Sequence, residues 1–144
     1  MRIAFAGTPD FALPTLAALA GGRHSVECVI TQPDRPTGRG RTLCPPPVKV
    51  LALQRGLRVI QPESVNEPAA VETLRAAKLD ALIVLAYGVR LRPRVLRLPR
   101  LGCLNIHASL LPRFRGAAPI NWAVIRCEKE TGVTLQRMAS EIDA

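Results

Sequence analysis

The residues predict an α/β domain built on a largely parallel sheet with helices on both faces. Short apolar runs of strand length alternate with stretches of helical periodicity along the whole chain, the pattern of repeated β-α-β units. The run Ala81 to Ala86 is almost entirely apolar, as a central strand covered on both faces requires. A length of 144 residues with 48% hydrophobic content provides for one core and does not promise two.

Ile3 to Ala6 reads as the first strand. A helix follows from about Pro9 to Ala20, with Phe11, Leu13, Leu16 and Leu19 near helical spacing and Gly21-Gly22 as its stop. Val26 to Thr31 is the second strand, and Val48 to Arg55 a helix with Pro47 at its start and Gly56 past its end. Val59-Ile60 gives a short third strand, and a helix from about Pro68 to Lys78 carries Val71, Leu74 and the nearby Leu79 as apolar positions. Ala81 to Ala86 is the fourth strand and Gly102 to Ile106 the fifth. Ala118 to Cys127 is a helix with Pro119 in its first turn, and Val133 to Met138 a sixth strand. There is no internal repeat and no low-complexity tail.

Composition narrows the function classes. Cys28, Cys44, Cys103 and Cys127 form no C-x-x-C pair, and neither His24 nor His107 has a partner at metal-ligand spacing, so no metal is expected. Cys28 and Cys103 fall inside strand-like runs, where a free thiol behaves as a small buried hydrophobe. The opening run meets Gly7 and Pro9 too soon for a signal peptide, and no stretch reaches membrane-spanning length; a cytoplasmic protein without a membrane partner is expected. A net charge of +9 biases the surface toward anions, although arginine-rich composition also suits a plain solvated surface. Its placement is informative. The connection from Gln32 to Pro46 carries Arg35, Arg39 and Arg41 against the single carboxylate of Asp34, and its prolines and glycines predict an irregular, mobile basic loop. A second cluster, Arg90, Arg92, Arg94, Arg97 and Arg100, reads as the solvated turn of a short helix around Pro93 and Pro99.

The chemistry is expected where the fifth strand ends. Residues two apart on a strand share a face, so Asn105 and His107 project a neutral hydrogen-bond donor and a titratable imidazole into one space. The strand then breaks at Ser109-Leu110-Leu111-Pro112, which puts the pair at its carboxyl end, the usual address of ligand sites in open α/β sheets. Taken singly, an Asn here could cap a turn and a buried His could merely be satisfied. A dinucleotide is disfavoured because the first turn, Ala6-Gly7-Thr8-Pro9-Asp10-Phe11, lacks the three-glycine spacing that brings a pyrophosphate to a helix N-terminus. The phosphate-loop pattern ending in Gly-Lys-Ser/Thr is absent as well.

Several strings resemble the methionyl-tRNA formyltransferase family: Phe5-Ala6-Gly7-Thr8-Pro9-Asp10-Phe11-Ala12, Thr31-Gln32-Pro33-Asp34-Arg35-Pro36, Gly38-Arg39-Gly40, Ala86-Tyr87-Gly88, Leu101-Gly102-Cys103, and Asn105-Ile106-His107 through Ser109-Leu110-Leu111-Pro112 to Arg115-Gly116-Ala117-Ala118-Pro119-Ile120. The resemblance runs in order along the whole chain. Its Asn-x-His with Ser-Leu-Leu-Pro is shared by folate-dependent formyltransferases generally, including those acting on glycinamide ribonucleotide or an amino sugar, while the first two strings and the basic loop resemble the enzyme acting on charged initiator tRNA. The resemblance implies a Rossmann-like, three-layer α/β/α formyltransferase fold with a mostly parallel sheet. It implies transfer of a formyl group from 10-formyltetrahydrofolate, as co-substrate, to the amino group of methionine on initiator tRNA in translation initiation. It assigns catalysis to Asn105, His107 and Asp143, and places Tyr87 and Gly88 along the folate pocket. Ser109, Leu110, Leu111 and Pro112, by residue type a rigid strand-to-helix connection, help wall the same site in the family. Arg35, Arg39 and Arg41 would meet the acceptor end of the tRNA, where arginine pairs with phosphate and stacks on bases.

Attack of an amine on a formyl carbon creates an oxyanion and a nitrogen that must shed a proton, so the site needs a donor at the oxygen and a proton carrier. Asn105 suits the first role, His107 can serve both, and Asp143 would orient the imidazole and stabilise its charged form. Members of the family continue past this aspartate with a further strand, helices and a C-terminal β-barrel that helps hold tRNA. Residues 1–144 are therefore expected to be part of the N-terminal formyltransferase domain, the barrel being absent and the sheet incomplete, with the sixth strand a bare edge. Such a chain is expected to be weakly active or inactive alone, and monomeric when full length. Formyl transfer to a small amino substrate and an inactive RNA-binding fragment remain the alternatives.

Overall fold

The computed structural model describes residues 1–139. Its main sheet has six strands in the order β5-β2-β1-β6-β7-β8: β1 Arg2–Gly7, β2 Ser25–Ile30, β5 Val59–Ile60, β6 Ala81–Leu85, β7 Cys103–His107 and β8 Thr134–Arg137. All neighbours pair in parallel except β7 and β8, which are antiparallel, with His107 opposite Thr134 and Asn105 opposite Gln136. From β1 the chain builds outward to β2 and β5, then crosses back to β6 on the other side. That reversal opens a crevice at the carboxyl ends of β1 and β6.

The helices are α1 Leu13–Ala20, α2 Pro47–Gln54, α3 Pro68–Ala76, α4 Pro93–Leu96 and α5 Pro119–Ile125. Alternation along the strands divides the core in two. Ala4, Ala6, Cys28, Ile30, Leu82 and Val84 pack with Val71 and Leu74 of α3 and Val95 of α4. The intervening Phe5, Val29 and Ile83 pack with Leu16 of α1 and with Val48 and Ala52 of α2. A three-layer α/β/α arrangement results, and burying a side chain such as Phe5 contributes about 1.5–3 kcal/mol. Cys28 and Cys103 are buried in the first of these layers, and desolvation raises their thiols to about 11 and about 12 respectively.

Three expectations need correction. The helix expected from Pro9 starts at Leu13, after a 3₁₀ turn at Asp10–Ala12, because the ring of Pro14 would collide with the Asp10 carbonyl if the helix ran through it. Pro68 starts a helix that ends at Ala76, short of Lys78, which is left-handed with φ 47°. The basic connection after β2 is not irregular: Arg35–Thr37 (β3) and Thr42–Cys44 (β4) form an antiparallel hairpin with Pro36 opposite Leu43. A two-stranded ribbon has an outer edge on each strand, where a proline's missing N–H costs no ladder bond. Gly38 and Arg41, both with positive φ, make its turn.

β8 closes the order of the described strands and exposes Leu135 and Arg137 while Thr134 and Gln136 are half-buried. Among the described residues, no helix is long and apolar enough to cross a membrane.

Candidate functional site

A cavity of about 660 Å³ opens at the crevice between β1 and β6 and extends over the end of β7. Its walls come from the turn after β1 (Pro9, Phe11), the end of β6 and the segment after it (Val84 to Leu91), β7 and its exit (Asn105 to Ala108), the start of α5 (Gly116 to Asn121), and Gln136 to Ala139. This size suits a small-molecule ligand. Asn105 and His107 line it together, as period-two alternation predicts. The described lining includes Arg90, Arg137 and His107.

His107 is buried, and its Nε2 lies 2.8 Å from the Phe114 carbonyl. A carbonyl only accepts, so Nε2 carries the hydrogen. Phe114 presents that oxygen from a left-handed conformation, φ 53°, within the loop that leaves β7. The fully buried Ser109 tightens the same loop: its hydroxyl donates to the Arg113 carbonyl at 2.6 Å, and its own carbonyl accepts from Thr134 Oγ1 at 2.7 Å.

The wall after β6 is shaped by two positive-φ residues, Ala86 at 50° and Gly88 at 91°. Between them, Tyr87 lines the cavity and is buried against the core, where burial pushes its hydroxyl up to about 12. The Tyr87 carbonyl accepts from Thr8 Oγ1 at 3.0 Å and Gln32 Nε2 at 3.3 Å, which ties this wall to the ends of β1 and β2. Gly7 makes the close approach possible, since a Cβ there would sit 2.9 Å from the Leu85 carbonyl oxygen.

A family model described as formyl transferase matches residues 1–144. The chain belongs to the formyl transferase family. It is 56% identical over 144 residues to the methionyl-tRNA formyltransferase of Methylococcus capsulatus and 53% identical to that of Methylobacillus flagellatus, covering 100% of this chain and 47% of each relative. The chain thus spans about half the length of the curated relatives it matches. Among solved structures, glycinamide ribonucleotide transformylase 1 from Symbiobacterium toebii superposes with a TM-score of 0.77 at 22% identity, over 99% of this chain and 68% of that one. A formyltetrahydrofolate deformylase from Pseudomonas syringae pv. tomato superposes with 0.73 at 20% identity, over 99% and 47%. These two likenesses establish the Rossmann-like formyltransferase fold.

Within this formyl transferase fold the expected residues are distributed unevenly. Asn105, His107, Tyr87 and Gly88 meet at the cavity. Ser109, Leu110, Leu111 and Pro112 lie outside its lining and form the loop behind His107, with Leu110 against Gly132. Arg35 pairs with Glu63 at 3.1 Å, and Arg39 and Arg41 are exposed at the hairpin turn. None of the three arginines lines the cavity. Asp143 lies outside the described residues. Sequence reasoning misses Thr8, Gln32, Thr134 and the Phe114 carbonyl; Thr8 and Gln32 fall inside the family-like strings, whereas nothing in the spacing of Thr134 or Phe114 marks them.

Proposed function

We propose that this chain is the formyl-transferring part of a methionyl-tRNA formyltransferase, moving a formyl group from 10-formyltetrahydrofolate to the amino group of methionine on initiator tRNA in translation initiation, in the cytoplasm. The observation that carries this reading is the joint presence of Asn105 and His107 in one cavity of a chain more than half identical to relatives bearing that name.

The cavity suits the folate in size, and Tyr87 and Gly88 line it together with Asn105 and His107. Bound there, the co-substrate supplies the formyl group on N10. Asn105 donates its amide N–H to the formyl oxygen as charge grows on it. His107 accepts the amine's proton and passes it to the departing nitrogen, so one C–N bond forms and another breaks without net proton change. Asp143 stabilises the imidazolium. The loop of Ser109, Leu110, Leu111 and Pro112 acts on the folate site by holding His107. Arg39 and Arg41 meet the tRNA at the hairpin turn, joined by Arg35 once it leaves Glu63; that exposed pair is worth about 0–1 kcal/mol.

The test is single-turnover transfer of labelled formyl to charged initiator tRNA, compared with glycinamide ribonucleotide and an amino sugar nucleotide. Transfer to the tRNA ahead of both is expected. Faster transfer to either small amine would reassign the substrate.

A further inference from the structure

We propose that Thr134 is a positioning residue for His107, acting through the loop between β7 and α5; the proposal rests on the reading of His107 as the group that moves the proton. Thr134 opens β8 directly opposite His107 in the β7–β8 register. Its hydroxyl donates to the Ser109 carbonyl at 2.7 Å and accepts from the Leu111 N–H at 3.1 Å. One side chain thereby satisfies two backbone groups that neither a helix nor a strand ladder supplies at this bend. The segment so pinned carries the Ser109 hydroxyl, whose single hydrogen goes to the Arg113 carbonyl at 2.6 Å, and the next residue, Phe114, presents the carbonyl that holds His107 Nε2 at 2.8 Å.

The geometry makes this more than packing. Phe114 is a bulky residue held left-handed, a conformation that persists only where surrounding contacts impose it. Thr134 grips the start of the loop at Ser109 and Leu111, and the Ser109 hydroxyl reaches its far end at Arg113. Losing the Thr134 bridge frees residues 109–114 to relax, so that the ring loses its fixed orientation while the cavity lining stays intact.

The experiment compares Thr134→Val, which keeps the β-branched shape without the hydroxyl, with Thr134→Ser, which restores it. In the 15N-labelled chain, His107 is expected to show a slowly exchanging ring Nε2–H resonance, assigned against a His24→Gln background. That resonance should be lost to solvent exchange in Thr134→Val and return in Thr134→Ser. Thr134→Ala gives the same reading should the valine variant fail to fold. In single-turnover formyl transfer the valine variant should lose roughly 10- to 100-fold in kcat with KM within about twofold, and serine should recover it. A ring resonance as protected in Thr134→Val as in the parent would overturn the proposal, and so would a loss that serine does not rescue. The ring signal decides positioning without reference to turnover, so absence of transfer in every form counts against the function reading alone.

Discussion

His107 sits on a strand with its ring tethered by a backbone carbonyl seven residues further on, and Asn105 shares its face of β7 two residues earlier. The loop thus adds to the strand in holding His107. If Asn105 is the donor to the reacting oxygen, Asn105→Ala removes that donor and leaves the backbone pairing of β7 in place. It is expected to lower kcat by about 10²–10³ with little change in KM, measured under saturating folate. Thermal unfolding of the same variant should stay close to the parent. The pair is legible in the sequence because strand alternation places residues two apart on one face. The Phe114 carbonyl is not, since every residue carries a carbonyl and only the folded turn shows which one faces the ring.

The β3–β4 hairpin shows how side chains distant in sequence give order to a segment rich in proline and glycine. Asp34, at its base, accepts from Lys49 Nζ on α2 at 2.7 and 2.9 Å and from Gln61 Nε2 after β5 at 2.6 Å. These partners lie 15 and 27 residues away, so composition reads the connection as a loop while tertiary contacts anchor a ribbon. The Gln61 amide and then the Lys49 ammonium hold the Asp34 carboxyl below its usual range. A carboxyl lowered in the folded state adds stability that is fully present above its unfolded value, about 3.9, and is lost as pH falls through the folded value. Asp34→Asn should therefore lower the denaturant midpoint near neutral pH, and the gap from the parent should close as the buffer is taken below about pH 4. A gap that stays constant or widens with acid would show that the carboxylate's charge is not what anchors the hairpin.

The sheet brings these parts to one end of the molecule: strand order reverses between β1 and β6, the cavity opens at that reversal, and β7 delivers Asn105 and His107 over it. The alternation of apolar runs with helical stretches makes this architecture legible in the residues themselves, including β8 as an edge. It does not reveal that β8 runs antiparallel to β7, because the direction of a strand depends on where the connection from α5 lands. Net charge also acts over the entire surface, and +9 favours a polyanionic partner. If Arg39 and Arg41 neutralise tRNA phosphates, replacing both with alanine should reduce the log-log salt slope of tRNA binding by about 0.7–0.9 per lost contact, and an unchanged slope would return the hairpin turn to plain solvated surface. The claim on which the rest depends is that the cavity at the end of β7 transfers a formyl group through His107. Its test is single-turnover transfer from 10-formyltetrahydrofolate to charged initiator tRNA by a full-length parent carrying this segment and by its His107→Ala variant, with the fold of the variant verified by its circular dichroism. The account predicts formylated methionyl-tRNA from the parent and a rate lower by orders of magnitude from the variant; transfer by a folded His107→Ala within a few-fold of the parent would contradict it.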